Sequence, residues 1–181
     1  MDKQMRIQGD TILHSFSYIK RKKGRKGLEQ VIAQLGYKPS DIYPERWYPV
    51  EKHLKLLEII DRNFDYKDHP VCSRIGYNRA QSIGFLKGSG KKIEPITIFE
   101  KVRDRWLRFS DFGRIELHNI GQGEVDIYLC KCPPHPLYCQ RMEGFFAGIL
   151  LAVCKVKEAS VKHVKCASDG DKYCVFEARW K

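Results

Sequence analysis

The segment CASDGDKYC, between Cys166 and Cys174, constrains the fold of this chain more than any other stretch. Its centre, Asp169-Gly170, supplies the positive φ that a hairpin turn needs. The sequences on both sides, SVKHVKC and YCVFEARW, are rich in β-branched and aromatic residues, as strands are. We therefore predict an antiparallel hairpin that places Cys166 opposite Cys174.

A third cysteine, Cys139, lies just inside a helix that is predicted to begin at Pro136. Three sulfurs from a helix start and a hairpin suit Zn²⁺, which takes thiolate and imidazole ligands in a tetrahedral array. The chain has seven cysteines, no apolar run long enough to span a bilayer and no signal-like N-terminus. These features predict a soluble, cytoplasmic protein with reduced thiols, in which metal binding is favoured over disulfides.

Apolar residues recur at helical spacing across most of residues 1–112. The predicted helices run from an N-cap at Asp10 to Gly24, from there to Gly36, from Pro49 onward, over residues 69–88 with interruptions, and from Pro95. The stretch KGSGKK, from Lys87 to Lys92, predicts a loop.

The periodicity changes at Gly113. The segments IELHNI and EVDIYLC flank Gly121-Gln122-Gly123 and predict an antiparallel hairpin. A proline-rich connector and a helix from Pro136 to Cys154 follow, and Gly144 and Gly148 leave a groove on that helix for another element. The order strand, strand, helix, strand, strand predicts an α+β fold, an antiparallel sheet covered by helices. We expect the helical part, residues 1–112, to pack on residues 113–181 as one compact unit.

The net charge is +11, and its densest cluster runs from Lys20 to Lys26. A solvated helix end explains such a cluster, because cations complement the C-terminal end of the helix dipole. The alternative is a basic nucleic-acid-associated regulator held by phosphate contacts. The sequence has no helix-turn-helix pattern and no paired CxxC. Nucleic acid is therefore not expected to be the main partner.

The spacing of cysteine, glycine and phenylalanine over residues 113–181 resembles that of the 4-vinyl reductase domain. This domain occurs alone and in the sensor region of phenol- and xylene-responsive transcriptional activators. The stretch from Gly9 to Leu57 resembles haem–NO-binding-like proteins, although the Tyr-x-Ser-x-Arg signature that such proteins use for haem propionates is absent. The positions that carry the first resemblance are Cys139-x4-Gly144-Phe145-x2-Gly148 and Cys166-x3-Gly170-x3-Cys174-x-Phe176.

The resemblance implies a zinc site with three cysteines and one acidic ligand shortly before the second of them. On this chain the thiolates are Cys139, Cys166 and Cys174, and the fourth position falls on His163. In a regular strand His163 and Cys166 would point to opposite faces, so a bulge or an early strand end is needed. The alternative fourth ligands are His135, Cys132 and Cys130, all on the connector beside Cys139.

The predicted function is that of a binding module, a sensor or carrier for a hydrophobic or aromatic small molecule. Its zinc would be structural, since three cysteines and one histidine leave no open position for water. The alternatives are an enzyme or accessory of tetrapyrrole vinyl reduction, for which no dinucleotide fingerprint is present, and a haem-based gas sensor. A protein partner and a homodimer stay open. The predicted pocket, whose residues core packing would also use, comprises Phe112, Tyr128, Phe145, Phe146 and Phe176.

Overall fold

The structure is a computed structural model, and it describes residues 4–65, 70–84 and 93–181. His69 and the loop predicted from Lys87 to Lys92 lie outside these ranges. Within them, no helix combines the length and the apolar composition that crossing a membrane requires.

Helices dominate the first part of the described chain and an antiparallel sheet dominates the second, as predicted for an α+β fold. The helices are α1 (Gly9–Leu35), α2 (Val50–Phe64), α3 (Val71–Ser82), α4 (Pro95–Asp104) and α5 (Pro136–Gly148). The strands are β1 (Arg6–Gln8), β2 (Trp47–Pro49), β3 (Arg114–Gly121), β4 (Glu124–Cys130), β5 (Ala159–Lys165) and β6 (Tyr173–Trp180). After α5, one π-helical turn covers Ile149–Val153.

The two helices predicted on either side of Gly24 are present as the two halves of α1. Gly24 adopts φ 70° and ψ −170°, which is not helical, and the second half then runs to Leu35 with Gly36 as its C-cap. The start of the first half differs from its prediction, because the N-cap is Gln8 and Asp10 lies in the first turn. The largely exposed basic cluster from Lys20 to Lys26 lies at the break between the two halves.

Four strands form one antiparallel sheet in the order β3-β4-β6-β5. The predicted sequence of strand, strand, helix, strand, strand is confirmed, with α5 between the two hairpins. One face of the sheet is apolar and packs against α4 and α5, since the paired residues alternate between the two faces. This inner face includes Ile115, Val125, Ile127, Leu129, Cys174, Phe176 and Ala178.

Helices α3 and α5 pack with their backbones in close contact. A Cβ atom added at Gly144 would clash with the backbone of Ser73, and one added at Gly76 would clash with the carbonyl of Arg141. At Gly148 it would lie 2.6 Å from the carbonyl oxygen of Tyr77. The groove predicted at Gly144 and Gly148 is confirmed, and the element that fills it is α3.

The core has two apolar clusters. One lies among α1, α2 and α3, and the other lies between the sheet and the helices α4 and α5. The second cluster includes Val50 and Ala80 from the helical part, so the apolar packing crosses residue 112. Buried polar side chains lie where the helices meet, among them Ser15, His53, Arg79 and Arg141.

Candidate functional site

Three cysteines and one histidine converge where α5 begins and the β5–β6 hairpin turns. The donor atoms of Cys139, His163, Cys166 and Cys174 all lie within 4.8 Å of one another. The Sγ atoms of Cys139 and Cys174 are 3.3 Å apart, and those of Cys166 and Cys139 are 3.8 Å apart. The structure thus brings together the four residues that the sequence singled out, and such a set of sulfur and imidazole donors can hold a metal ion.

The strand β5 reaches this arrangement through a bulge. The register with β6 shifts between His163, which pairs with Phe176, and Lys165, which pairs with Val175. His163 lies on the inner face as the partner of Phe176, and the two rings stack with centroids 4.6 Å apart. The extra residue after His163 brings Cys166 back to that same face. The strand then ends at Lys165. The irregularity that the sequence required is therefore present.

The turn between β5 and β6 fixes Cys166 through Asp171. The backbone amide of Cys166 donates to Asp171 Oδ2 at 2.9 Å, and the amide of Asp171 donates back to the carbonyl of Cys166 at 3.2 Å. Gly170 has the predicted positive φ, 96°. The connection is longer than the tight turn expected from Asp-Gly, because a short 3₁₀ turn over Ala167–Asp169 precedes this glycine.

The alternative fourth ligands lie at different places. Cys132 borders the cluster, with its Sγ 3.5 Å from that of Cys174. His135 turns away, because its Nε2 lies 3.0 Å from Glu58 Oε1. Cys130 follows Leu129 on β4 and therefore points to the opposite face of the sheet from Cys174. Cys132 is the one alternative that the structure keeps within reach.

The hydrogen bonds within the cluster shift the pKa values of its thiols in opposite directions. Hydrogen bonds from Cys132 and Cys139 lower the pKa of the Cys174 thiol. The same hydrogen bonds to Cys174, together with burial, raise the pKa of Cys132 and of Cys139. A thiolate at Cys174 is stabilised at the centre of the cluster, and a second thiolate beside it would need a cation.

A cavity of about 40 Å³ lies where α1, α3, α4 and α5 meet. Its wall is largely apolar and includes Ile83, Val102, Trp106 and Phe145. An outer groove of about 370 Å³ adjoins it, because Arg79, Ile83 and Phe109 line both spaces.

The residues predicted for the ligand pocket do not lie together around this cavity. Phe145 lines it. Phe112, Phe146 and Phe176 are buried in the apolar cluster under the sheet. Tyr128 lies on the outer face, where its ring centroid is 4.4 Å from that of His118 and 5.7 Å from that of Tyr173. Core packing, the alternative use of these aromatics, accounts for most of the set.

The sequence reasoning missed the polar groups beside the cavity. Arg79 pairs with Asp10, while Arg141 is buried. Burial, followed by the charges of Arg79 and Arg141, lowers the pKa of His14 to about 3, so this imidazole is neutral. The available signal was the position of Arg141 in a predicted helix. It lies between Tyr138 and Phe145 at the spacing of an apolar face, where a charge is unexpected.

His53 belongs to the same polar region. Its Nε2 lies 3.0 Å from Ser15 Oγ in the interior, and burial lowers its pKa well below the usual value. His14 lines the outer groove and His53 is buried, and neither lines the cavity itself.

Comparison with known proteins gives the fold. No protein-family model matches, and no curated protein matches this sequence. Solved structures of H-NOX proteins do match. An H-NOX protein from S. oneidensis in the Fe(II)NO ligation state is 11% identical, with a TM-score of 0.69, and the match covers 97% of this chain and 99% of that one. A mutant of the T. tengcongensis H-NOX protein is 11% identical, with a TM-score of 0.71 and coverage of 97% and 98%.

This chain has the fold of the H-NOX proteins. A third structure, from work on haem distortion in the H-NOX family, gives a TM-score of 0.71 over 97% of this chain and 95% of that one, again at 11% identity. The resemblance of the N-terminal stretch to haem–NO-binding-like proteins is thereby supported at the level of the fold. The resemblance to the 4-vinyl reductase domain finds no support in these comparisons.

The prediction of zinc as the cofactor is wrong against this comparison. Solved structures that share the fold concern haem distortion, haem redox potential and the Fe(II)NO ligation state, and none of these three concerns zinc. The Cys/His cluster had suggested zinc because its donor types are those of zinc sites. Donor types alone do not identify the metal that a protein carries.

Haem does not fit the described part of this chain either. Pockets for ligands of cofactor size span about 300–1,000 Å³, whereas the interior cavity measures about 40 Å³. Among the described residues that line it there is no histidine or cysteine, and of the other possible axial ligands Tyr138 and Met142 lie on its wall. His14 faces the outer groove, and His53 is engaged with Ser15. No step of the function is therefore derived through haem.

Proposed function

We propose that this chain is a sensor domain that binds a small molecule in the cavity among α1, α3, α4 and α5. The observation that carries the proposal is the largely apolar cavity itself, which adjoins an outer groove because Arg79, Ile83 and Phe109 line both spaces. Ligand sites are typically concave and apolar with a few polar groups that fix orientation. The H-NOX fold supports the proposal, since one solved protein with this fold is in the Fe(II)NO ligation state and so holds a small ligand.

Signalling from such a cavity would pass through the contact between α3 and α5. Both helices line the cavity, and the glycines at Gly76, Gly144 and Gly148 let their backbones touch. A tightly packed contact of this kind responds to a new occupant by shifting as a unit, because interiors have few voids to absorb a change. A ligand would thereby alter the position of α5 relative to the helical part.

The test is ligand binding to a chain whose cavity has been filled. Val102 lines the cavity and is 5% exposed, so Val102→Phe should occupy the space. We expect a thermal-shift screen of apolar and aromatic compounds to give hits with the unmodified chain that Val102→Phe loses. Leu107→Phe is the matched control, because Leu107 is 66% exposed on the same segment. Hits that survive Val102→Phe would place the ligand elsewhere and contradict the proposal.

We propose further that Cys139, His163, Cys166 and Cys174 hold a metal ion. The specific observation in favour is the convergence of four donor atoms within 4.8 Å, three of them buried thiols. Such an ion would tie α5 to the β5–β6 hairpin and would supply the positive charge that additional thiolates require. Its role would be structural, since four protein donors leave no open coordination position.

Elemental analysis of the purified chain tests this second proposal. We expect about one metal ion per chain, as four donors form one tetrahedral site. His163→Ala should reduce the metal retained against a chelator, whereas His135→Ala should leave it unchanged, because His135 is bonded to Glu58. Metal content near zero in the unmodified chain, or equal losses in the two variants, would contradict the assignment.

A further inference from the structure

The buried guanidinium of Arg141 is the group beside the cavity whose charge is least balanced. Arg141 is 5% exposed. Among the described residues, no carboxylate forms an ion pair with Arg141. Its Nε atom is buried without an acceptor. Its Nη1 atom donates a weak hydrogen bond to Met142 Sδ at 3.8 Å. An arginine stays charged under all ordinary conditions. A buried charge without a partner is costly, and such groups mark functional sites.

The neighbouring polar groups do not supply the missing negative charge. Arg79 lines the same cavity, and its own partner is Asp10. The other polar side chains on the cavity wall are Thr11, Ser110 and Tyr138, which are uncharged. Asp10 balances the charge of Arg79, and Arg141 leaves the cavity wall with an excess of one positive charge.

The shape of the space indicates what would balance this charge. About 40 Å³ of cavity accommodates a small head group beside Arg141, and most of the remaining wall is apolar. The outer groove, about 370 Å³ in volume, is lined by Leu13, Ile83 and Phe109 together with polar residues and can take a longer body along its apolar side. The polar residues are Asp10, His14, Ser17, Arg79 and Ser82. Planar carboxylates are the groups that a guanidinium binds through two parallel hydrogen bonds.

We propose that the ligand of this cavity is an apolar organic acid whose carboxylate pairs with Arg141. This inference rests on the proposed small-molecule function and adds the chemical class of the ligand. The apolar body lies against Ile83 and Phe109 toward the groove. Arg79 pairs with Asp10, lies 5.7 Å from the centroid of the Phe109 ring and lines both spaces.

The experiment compares acids with uncharged analogues of the same shape. Phenylacetate and octanoate are titrated into the full chain beside phenylacetamide and octanamide, with chloride and phosphate as inorganic anions. We expect each acid to bind at least about tenfold more tightly than its amide, because a charge-assisted hydrogen bond exceeds a neutral one by roughly that factor. Inorganic anions should bind more weakly than the acids, since they bury no apolar surface.

Arg141→Met separates recognition from folding. Methionine matches the length of the apolar stem and removes the buried charge, so the melting temperature without ligand should rise by about 3 °C or more. The preference for acid over amide should disappear. The control is Arg74→Met, because Arg74 is exposed on α3 and should keep the preference. If the variant fails to fold, the comparison of acid with amide on the unmodified chain still decides.

The outcomes are distinguishable. Equal affinity for acids and amides would overturn the carboxylate assignment while leaving the small-molecule function in place. Binding of phosphate or chloride as tight as that of the acids would overturn the apolar body. If neither acids nor amides bind, and native mass spectrometry of the purified chain finds no small molecule, this inference and the proposed function both fail.

Discussion

Helix α5 carries two buried polar sites that differ in kind. Cys139 belongs to the thiol cluster beneath the hairpin, and Arg141 lies beside the cavity among the helices. Two residues along a helix correspond to a rotation of about 200°, so the two side chains leave α5 on nearly opposite sides. One helix therefore connects a cluster of sulfur donors on the sheet side with an excess positive charge on the helix side.

The two sites favour ligands of opposite charge. In the cluster, donor atoms converge on a space that a cation would occupy, and the pKa of the Cys139 thiol is raised by the hydrogen bond to Cys174 and by burial. At the cavity, the guanidinium of Arg141 has no anion among the described residues. Burial makes an unpaired charge expensive in both places. Under the two proposals above, the cluster would bind a cation and the cavity an anion.

Cys174→Ser gives the largest expected effect and would break this comparison on the sheet side. Cys174 is fully buried, and its Sγ lies 3.3 Å from that of Cys139 and 3.5 Å from that of Cys132. If the cluster holds a metal ion, the substitution removes one of its four protein ligands, and metal binding contributes directly to folding stability. We expect loss of the metal and a large fall in melting temperature, measured by elemental analysis and calorimetry.

The matched control is Cys154→Ser. Cys154 is 1% exposed, lies after the π-helical turn and does not belong to the cluster. Its substitution should cost only the burial of a hydroxyl, about 1–3 kcal/mol. Equal melting temperatures for the two variants would mean that the cluster is simply a group of packed thiols.

The two sites also differ in how far the sequence could predict them. The thiol cluster was accessible because its ligand types are rare and their spacing around Gly170 is specific. Even the bulge near His163 followed from the requirement that His163 and Cys166 share a face. The strand order followed from the change in periodicity at Gly113 and from two hairpin signals.

The cavity was not accessible, because nothing in the sequence specifies which aromatic side chains enclose a space and which fill one. Phe145 and Phe146 are neighbours in α5, yet only Phe145 lines the cavity. The N-cap of α1 was misassigned for a related reason. Asp10 is a residue type that can cap a helix, but its carboxylate pairs with Arg79, and the amides of Gly9 and Asp10 donate to the carbonyls of Arg46 and Pro44. These outcomes depend on tertiary contacts that local patterns do not contain.

The last and smallest expected effect concerns pH and tests the helix side of the comparison. Burial and the charges of Arg79 and Arg141 lower the pKa of His14 to about 3, with Asp10 acting in the opposite direction and Arg21 in the same one. Because the folded pKa lies below the unfolded value of about 6.5, the unfolded chain binds a proton first as the pH falls. Stability from this group is complete above about pH 6.5 and declines below it. Between pH 8 and pH 5 the free energy of unfolding falls by about 2 kcal/mol through this group.

The substitution His14→Gln, measured by chemical denaturation at both pH values, should remove that part of the decline. The control His118→Gln, at an exposed position beside Glu116, should not. Identical declines in the unmodified chain and in His14→Gln would show that His14 accepts its proton in the fold despite its burial and the charges of Arg79 and Arg141.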